Sequence, residues 1–173
     1  MRYLVALVFC ILSTNVSASH ILGGNITWEC TGNNQYVFRL VLYRECSFAA
    51  GDCLFTQTIS GPSGNITLSR KRINDISMPC TGGTSVYCGM IGAANGAAEE
   101  NIYESLPITL SGTIPPTGWE FSYFNCCRSG NAVNSSSGGY YFSSKMYPSS
   151  NVCNSSPQFL SNTAKGITST SHN

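Results

Sequence analysis

The chain has 173 residues, of which only 10% are charged, with nine Lys and Arg against eight Asp and Glu. A chain this close to neutral has no basic field with which to neutralise phosphate, which excludes nucleic acid as a partner. The length is sufficient for one domain with a real core.

The N-terminus reads as a secretory signal. Arg2 supplies a positive n-region, Tyr3 to Leu12 an apolar run, and Val16-Ser17-Ala18 the small residues of a cleavage site. Cleavage after Ala18 leaves a mature chain that starts at Ser19. The apolar run is too short for a membrane anchor, and no later stretch is long and apolar enough to cross a bilayer as a helix. The expected location is therefore secreted or cell-surface, with the periplasm as the alternative.

Of the nine cysteines, Cys10 leaves with the signal. Cys30, Cys46, Cys53, Cys80, Cys88, Cys126, Cys127 and Cys153 remain, an even set behind an export signal, which implies a disulfide framework. Cys46–Cys53 and Cys80–Cys88 are candidates for short closed loops. Cys126 and Cys127 point to opposite faces of a strand and are expected to reach different partners, with Cys30 and Cys153 as candidates. No C-x-x-C pair and no nearby His supports zinc, so no metal and no cofactor is expected.

Strand signals then recur along the chain. Asn25 to Cys30 alternates, with Ile26, Trp28 and Cys30 on one face, and Gly32-Asn33-Asn34 reads as a hairpin turn. Gln35 to Arg44 is apolar on both faces, as in a strand covered on both sides. Leu54 to Ile59 and Asn65 to Arg70 flank the turn Gly61-Pro62-Ser63-Gly64. Arg70-Lys71-Arg72 is the basic run, read as a guard against edge pairing. Gly89 to Ala98 is Gly/Ala-rich and ends in a loop at Asn95-Gly96.

Asn101 to Ser111 regains strand character, with Pro107 as an edge or break. Pro115-Pro116-Thr117-Gly118 is a turn. Trp119 to Cys127 alternates, with Trp119, Phe121, Tyr123 and Asn125 on one face and Glu120, Ser122 and Phe124 on the other. Asn131 to Gly139 is a polar loop and Tyr140 to Tyr147 the last strand. These about seven short strands predict an all-β, antiparallel, immunoglobulin-like β-sandwich stapled by disulfides over residues 19–160, with a barrel as the alternative. Residues 161–173 lack apolar anchors and are expected to be disordered.

Little in the chain resembles catalytic machinery. His20 and His172 lie near the ends of the mature chain, where no rigid shell can hold a base. Glu99-Glu100 reads as a soft loop, and the other acids as solvated strand faces. Four Asn-x-Ser/Thr triplets, beginning at Asn25, Asn65, Asn134 and Asn154, match the glycosylation acceptor pattern. The aromatics Trp28, Trp119, Tyr123, Phe124, Tyr140 and Tyr141 supply either core or a platform for sugar rings. Trp28, Trp119 and Tyr140 are the candidate ligand-facing residues, and a Trp beside a disulfide is the competing core reading.

The mature start Ser19-His20-Ile21-Leu22-Gly23-Gly24, the strand Leu42-Tyr43-Arg44-Glu45-Cys46, the segment Asn101-Ile102-Tyr103-Glu104, the run Ser122-Tyr123-Phe124-Asn125-Cys126-Cys127-Arg128 and the close Cys153-Asn154-Ser155-Ser156-Pro157-Gln158-Phe159 form an ordered set. Together they resemble the N-terminal module of large secreted Bacteroidetes surface proteins of the gliding-motility-associated, PKD-repeat type. Asn25 stands where that module usually has Glu, and Glu45 where it has Asp. The resemblance implies export and a β-rich, non-enzymatic module linked to adhesion or surface motility. It also implies that the chain is a truncated part of a larger protein, since the family continues into repeats and a sorting domain. The function expected is a structural or adhesion module whose partners are other surface proteins or glycans, with a carbohydrate-binding module as the alternative.

Overall fold

Alternating apolar residues and closely spaced turn signals make strands, and the computed structural model describes these strands over residues 21–45, 54–76, 98–125, 139–150 and 153–158. The signal segment, the 161–173 tail, the Asn95-Gly96 loop, most of the Asn131–Gly139 loop and all the cysteines but Cys30 and Cys153 lie outside the described residues. Eight strands follow in chain order: β1 Ile21–Gly32, β2 Gln35–Glu45, β3 Thr56–Gly61, β4 Gly64–Asp75, β5 Ala98–Ser105, β6 Ile108–Thr109, β7 Trp119–Asn125 and β8 Tyr140–Met146. No helix occurs among the described residues, and every strand pair is antiparallel. The all-β antiparallel class expected from the sequence is the class found.

The sheet runs β1-β2-β5-β4-β3-β7-β8, with β6 beside β2. It curls until its two halves face each other. Phe38 on β2 meets Phe121 on β7 with ring centroids 4.5 Å apart, although three strands separate β2 from β7 along the sheet. Trp28 on β1 lies 5.8 Å from the same Phe121 ring. The two packed layers are thus parts of one sheet, a flattened and nearly closed barrel. Their common interior holds Ile26, Leu40, Leu42, Ile59, Leu68, Tyr103, Tyr123 and Met146. Each large side chain of this kind contributes about 1.5–3 kcal/mol when fully buried.

Local chemistry accounts for the joints. Asn33 and Asn34 form the two-residue β1–β2 loop with φ of 49° and 58°. A primed hairpin turn needs that left-handed backbone, and Asn tolerates it. Pro107 breaks what would otherwise be one long strand. β5 pairs with β2 up to Glu104↔Arg39, and β6 resumes at Ile108↔Tyr36. At the break the hydroxyl of Ser105 accepts from Phe38 N at 2.9 Å, so the ladder loses no partner there. The β3–β7 joint is narrow, registered at Ser60↔Ser122.

Two expectations are corrected. Glu99 and Glu100 are not in a soft loop; they lie on β5 and both are buried. The Arg70-Lys71-Arg72 run lies where the β3–β4 ladder ends, at Thr56↔Ser69 and the Arg70 N–Phe55 O bond, while β5 continues alongside β4. It sits at a bulge between Arg70 and Arg72, where Arg70 lies 4.7 Å over the ring of Phe55. β2 is covered on its second face over only part of its length: Val41 is buried, Val37 and Tyr43 are half-buried, and Arg39 is exposed and pairs with Glu104 at 2.7 Å.

One end of the interior is polar. Arg44 Nη1 donates to Glu99 Oε1 at 3.5 Å, and Asn101 Nδ2 donates to the same oxygen at 2.9 Å, all three side chains being buried. Removing one member of a buried ion pair leaves an uncompensated charge. Arg44→Met is therefore expected to destabilise the fold by about 3–5 kcal/mol in chemical denaturation. Arg44→Met/Glu99→Leu should recover only part of this, because Asn101 Nδ2 then loses its acceptor.

Candidate functional site

β1 ends the sheet, and the backbone groups on its outer side need partners. They find them in the segment 153–156. Ser156 N donates to Trp28 O at 3.0 Å, as a neighbouring strand would. Trp28 N donates to Ser156 Oγ at 2.9 Å, and that hydroxyl donates back to Trp28 O at 3.1 Å. Cys30 N donates to Ser155 Oγ at 3.0 Å, and the Trp28 indole Nε1 donates to Asn154 O at 2.9 Å. The Cys-Asn-Ser-Ser-Pro run is thus a strap along the sheet edge. Hydroxyls do part of the work of a strand, and Pro157, lacking an N–H, cannot extend the pairing.

A disulfide anchors the strap. Cys30 bonds directly to Cys153, with Cα atoms 5.7 Å apart. The expectation that these two cysteines would be taken by Cys126 and Cys127 is therefore corrected. Two strand-edge residues already brought side by side by the Ser155 and Ser156 bonds need no third partner.

The candidate ligand-facing residues separate. Trp28 is 4% exposed and packs against Phe38 and Phe121, so it belongs to the core beside the Cys30–Cys153 bridge. β1 points its ring inward, and the strap bonds its indole edge through Asn154 O. Tyr140 is half-buried and stacks on Phe142 at 5.8 Å, which in turn stacks on Tyr123 at 6.2 Å. Trp119 is half-buried at the end of the barrel and walls a pocket of about 300 Å³.

The exposed aromatics are others. Phe124 on β7 and Tyr141 on β8 are registered opposite each other, 68% and 60% exposed. On the same outer face the next pair is Ser122↔Ser143 and the next Glu120↔Lys145. Tyr141 Oη donates to Glu120 Oε1 at 2.7 Å, and Lys145 Nζ lies 3.9 Å from Glu120 Oε2. β3 continues the face with exposed Thr56, Thr58 and Ser60, opposite exposed Ser69, Thr67 and Asn65 on β4. The strand alternation already put Phe124 on the polar side of β7, which was the signal for its exposure. Its pairing with Tyr141 needed the register.

The buried acids do not form a catalytic pair. Glu99 and Glu100 are neighbours on one strand, so their side chains leave by opposite faces. Glu99 joins Arg44 and Asn101 inside, while Glu100 accepts from Asn74 Nδ2 at 2.6 Å on the other side. Among the described residues no three His, Cys, Asp or Glu side chains gather as metal ligands would.

No protein-family model, no curated protein and no solved structure matches the chain.

Two outcomes follow for the strap. Ser156→Ala leaves the buried Trp28 N–H without its acceptor and is expected to cost about 1–3 kcal/mol of unfolding free energy. The joint Cys30→Ala/Cys153→Ala variant, which frees a loop spanning 123 positions in sequence, is expected to lower stability by about 2–5 kcal/mol in the same denaturation assay.

Proposed function

We propose that this chain is a non-enzymatic, exported cell-surface module that acts by contact, presenting its sheet to other surface proteins or glycans. The observation that carries this reading is the outer face of β3, β4, β7 and β8. That face carries hydroxyls, an amide and the Glu120–Lys145 pair, with Phe124 and Tyr141 standing exposed together at its β7–β8 end. Large aromatics are costly to leave in water, and a paired, exposed set is the usual anchor of an interface. The Tyr141–Glu120 hydrogen bond pre-orients one ring, which lowers the entropy lost on contact.

The chemistry elsewhere agrees with contact rather than turnover. The carboxylates Glu99 and Glu100 face opposite ways, so neither has the other as an acid–base partner across a cleft. The resemblance to surface-protein modules of gliding bacteria supports export, attachment and a link to motility.

The test is adsorption of the fluorescently labelled chain to cells of the source organism. Phe124→Ala/Tyr141→Ala is expected to weaken adsorption about tenfold or more. The double variant should keep its unfolding free energy within about 1 kcal/mol, since both rings lie outside the core. Undiminished adsorption by the folded variant would contradict the reading.

A further inference from the structure

Trp119 has a different setting from the exposed pair. The pocket it walls lies where distant parts of the chain converge at one end of the barrel: the β1–β2 turn at Asn34, β2 at Tyr36, the β6–β7 loop at Gly112 and Thr113, the turn after β8 at Ser149, and the strap at Asn154. Every residue that lines it is neutral at pH 7. The indole supplies an apolar wall, and amide and hydroxyl groups from separate elements supply donors and acceptors around it.

Gly112 supplies the turn beside the indole: its φ is 101°, a backbone that disfavours side chains, and Trp119 Cζ2 lies 3.7 Å from where a Cβ would stand, ordinary contact distance. The strap enters twice. Its Asn154 carbonyl fixes the Trp28 indole inside the core, and the same residue forms part of the pocket wall.

We propose that this pocket binds a single neutral sugar ring, a proposal that rests on the contact reading above and names one chemistry for the partner. A pyranose has a C–H face that stacks on an indole and a rim of hydroxyls that both donate and accept. A site with an aromatic wall, mixed amide and hydroxyl groups and no charge suits that ligand. An anionic sugar or a phosphate would need a cation here, and the lining has none. The volume of about 300 Å³ lies at the small end of ligand sites, which sets the ligand at one ring, a terminal or branch residue of a glycan.

The experiment uses the two tryptophans of the chain as reporters. Their indole N–H resonances are followed in a ¹⁵N–¹H spectrum of the oxidised chain and assigned with Trp119→Phe. The probes are the methyl glycosides of glucose, galactose, mannose and N-acetylglucosamine, with methyl glucuronoside as the charged control. Each is added to concentrations on the order of 10 mM, since one ring with few hydrogen bonds binds weakly.

At least one neutral glycoside is expected to shift the Trp119 resonance saturably, together with the amides of Asn34 and Thr113. Thr113→Ala, an exposed position that should leave folding intact, is expected to weaken that binding about threefold to tenfold. The proposal is overturned if no neutral glycoside moves Trp119, if only the glucuronoside does, or if Thr113→Ala binds as tightly as the parent. Loss of adsorption in Phe124→Ala/Tyr141→Ala alongside a silent Trp119 would retain the contact reading and reject the pocket. A shifting Trp119 with undiminished adsorption by that variant would do the reverse for the outer face.

Discussion

The fold depends on how the outer edge of β1 is satisfied. The sheet curls far enough to bring β8 near β1, yet no registered ladder joins them among the described residues. At the seam, Phe142 lies over Gly24, where an ideal Cβ would already be 3.1 Å from that ring. Side-chain packing closes this gap only in part, and bare N–H and C=O groups along a strand edge invite pairing with another chain. Ser155 and Ser156 remove that exposure with hydroxyls, and the Cys30–Cys153 bond holds them in place. The terminal segment is therefore part of the architecture, and Trp28, bonded to it through N, O and Nε1, is where core and strap meet.

Low charge has a structural counterpart. With few charged residues, the surface is solvated by Ser, Thr and Asn, and several of the charges that remain are committed inside or against one another. Arg44 and Glu99 are buried together, Arg39 meets Glu104, and Lys145 and Tyr141 converge on Glu120. What is left over for recognition is shape, hydroxyls and a few rings. Phe124 and Tyr141 on the open face and Trp119 in the pocket are among the described places where aromatic area remains unused by the core, together with exposed Phe55 and Tyr147.

Strand character was legible because period-two alternation is a local signal. β2 and β7 announce themselves through Phe38, Leu40, Leu42, Phe121 and Tyr123, and the break at Pro107 follows from a missing donor. What the sequence could not convey was long-range register. Glu99-Glu100 looked like a loop because it follows a Gly/Ala-rich stretch, and only its partners Arg44 and Asn74 explain why it is a buried strand. The bulge at Arg70-Lys71-Arg72 and its place at the end of the β3–β4 ladder also needed the register. Trp28, Trp119 and Tyr140 were comparable as candidate rings, and separating them needed the direction of each strand face. The Cys153-to-Pro157 run was legible as a motif, but its role as a strap emerges only once β1 lies beside it.

Hydrogen exchange at two backbone amides tests the strap most directly. In the intact oxidised chain, the N–H groups of Trp28 and Cys30 face away from β2, and among the described residues Ser156 and Ser155 are their acceptors. If the strap seals the sheet, both amides exchange as slowly as those in the centre of β2. Exchange of Trp28 and Cys30 at the rate of an open strand edge, while β2 stays protected, would contradict it.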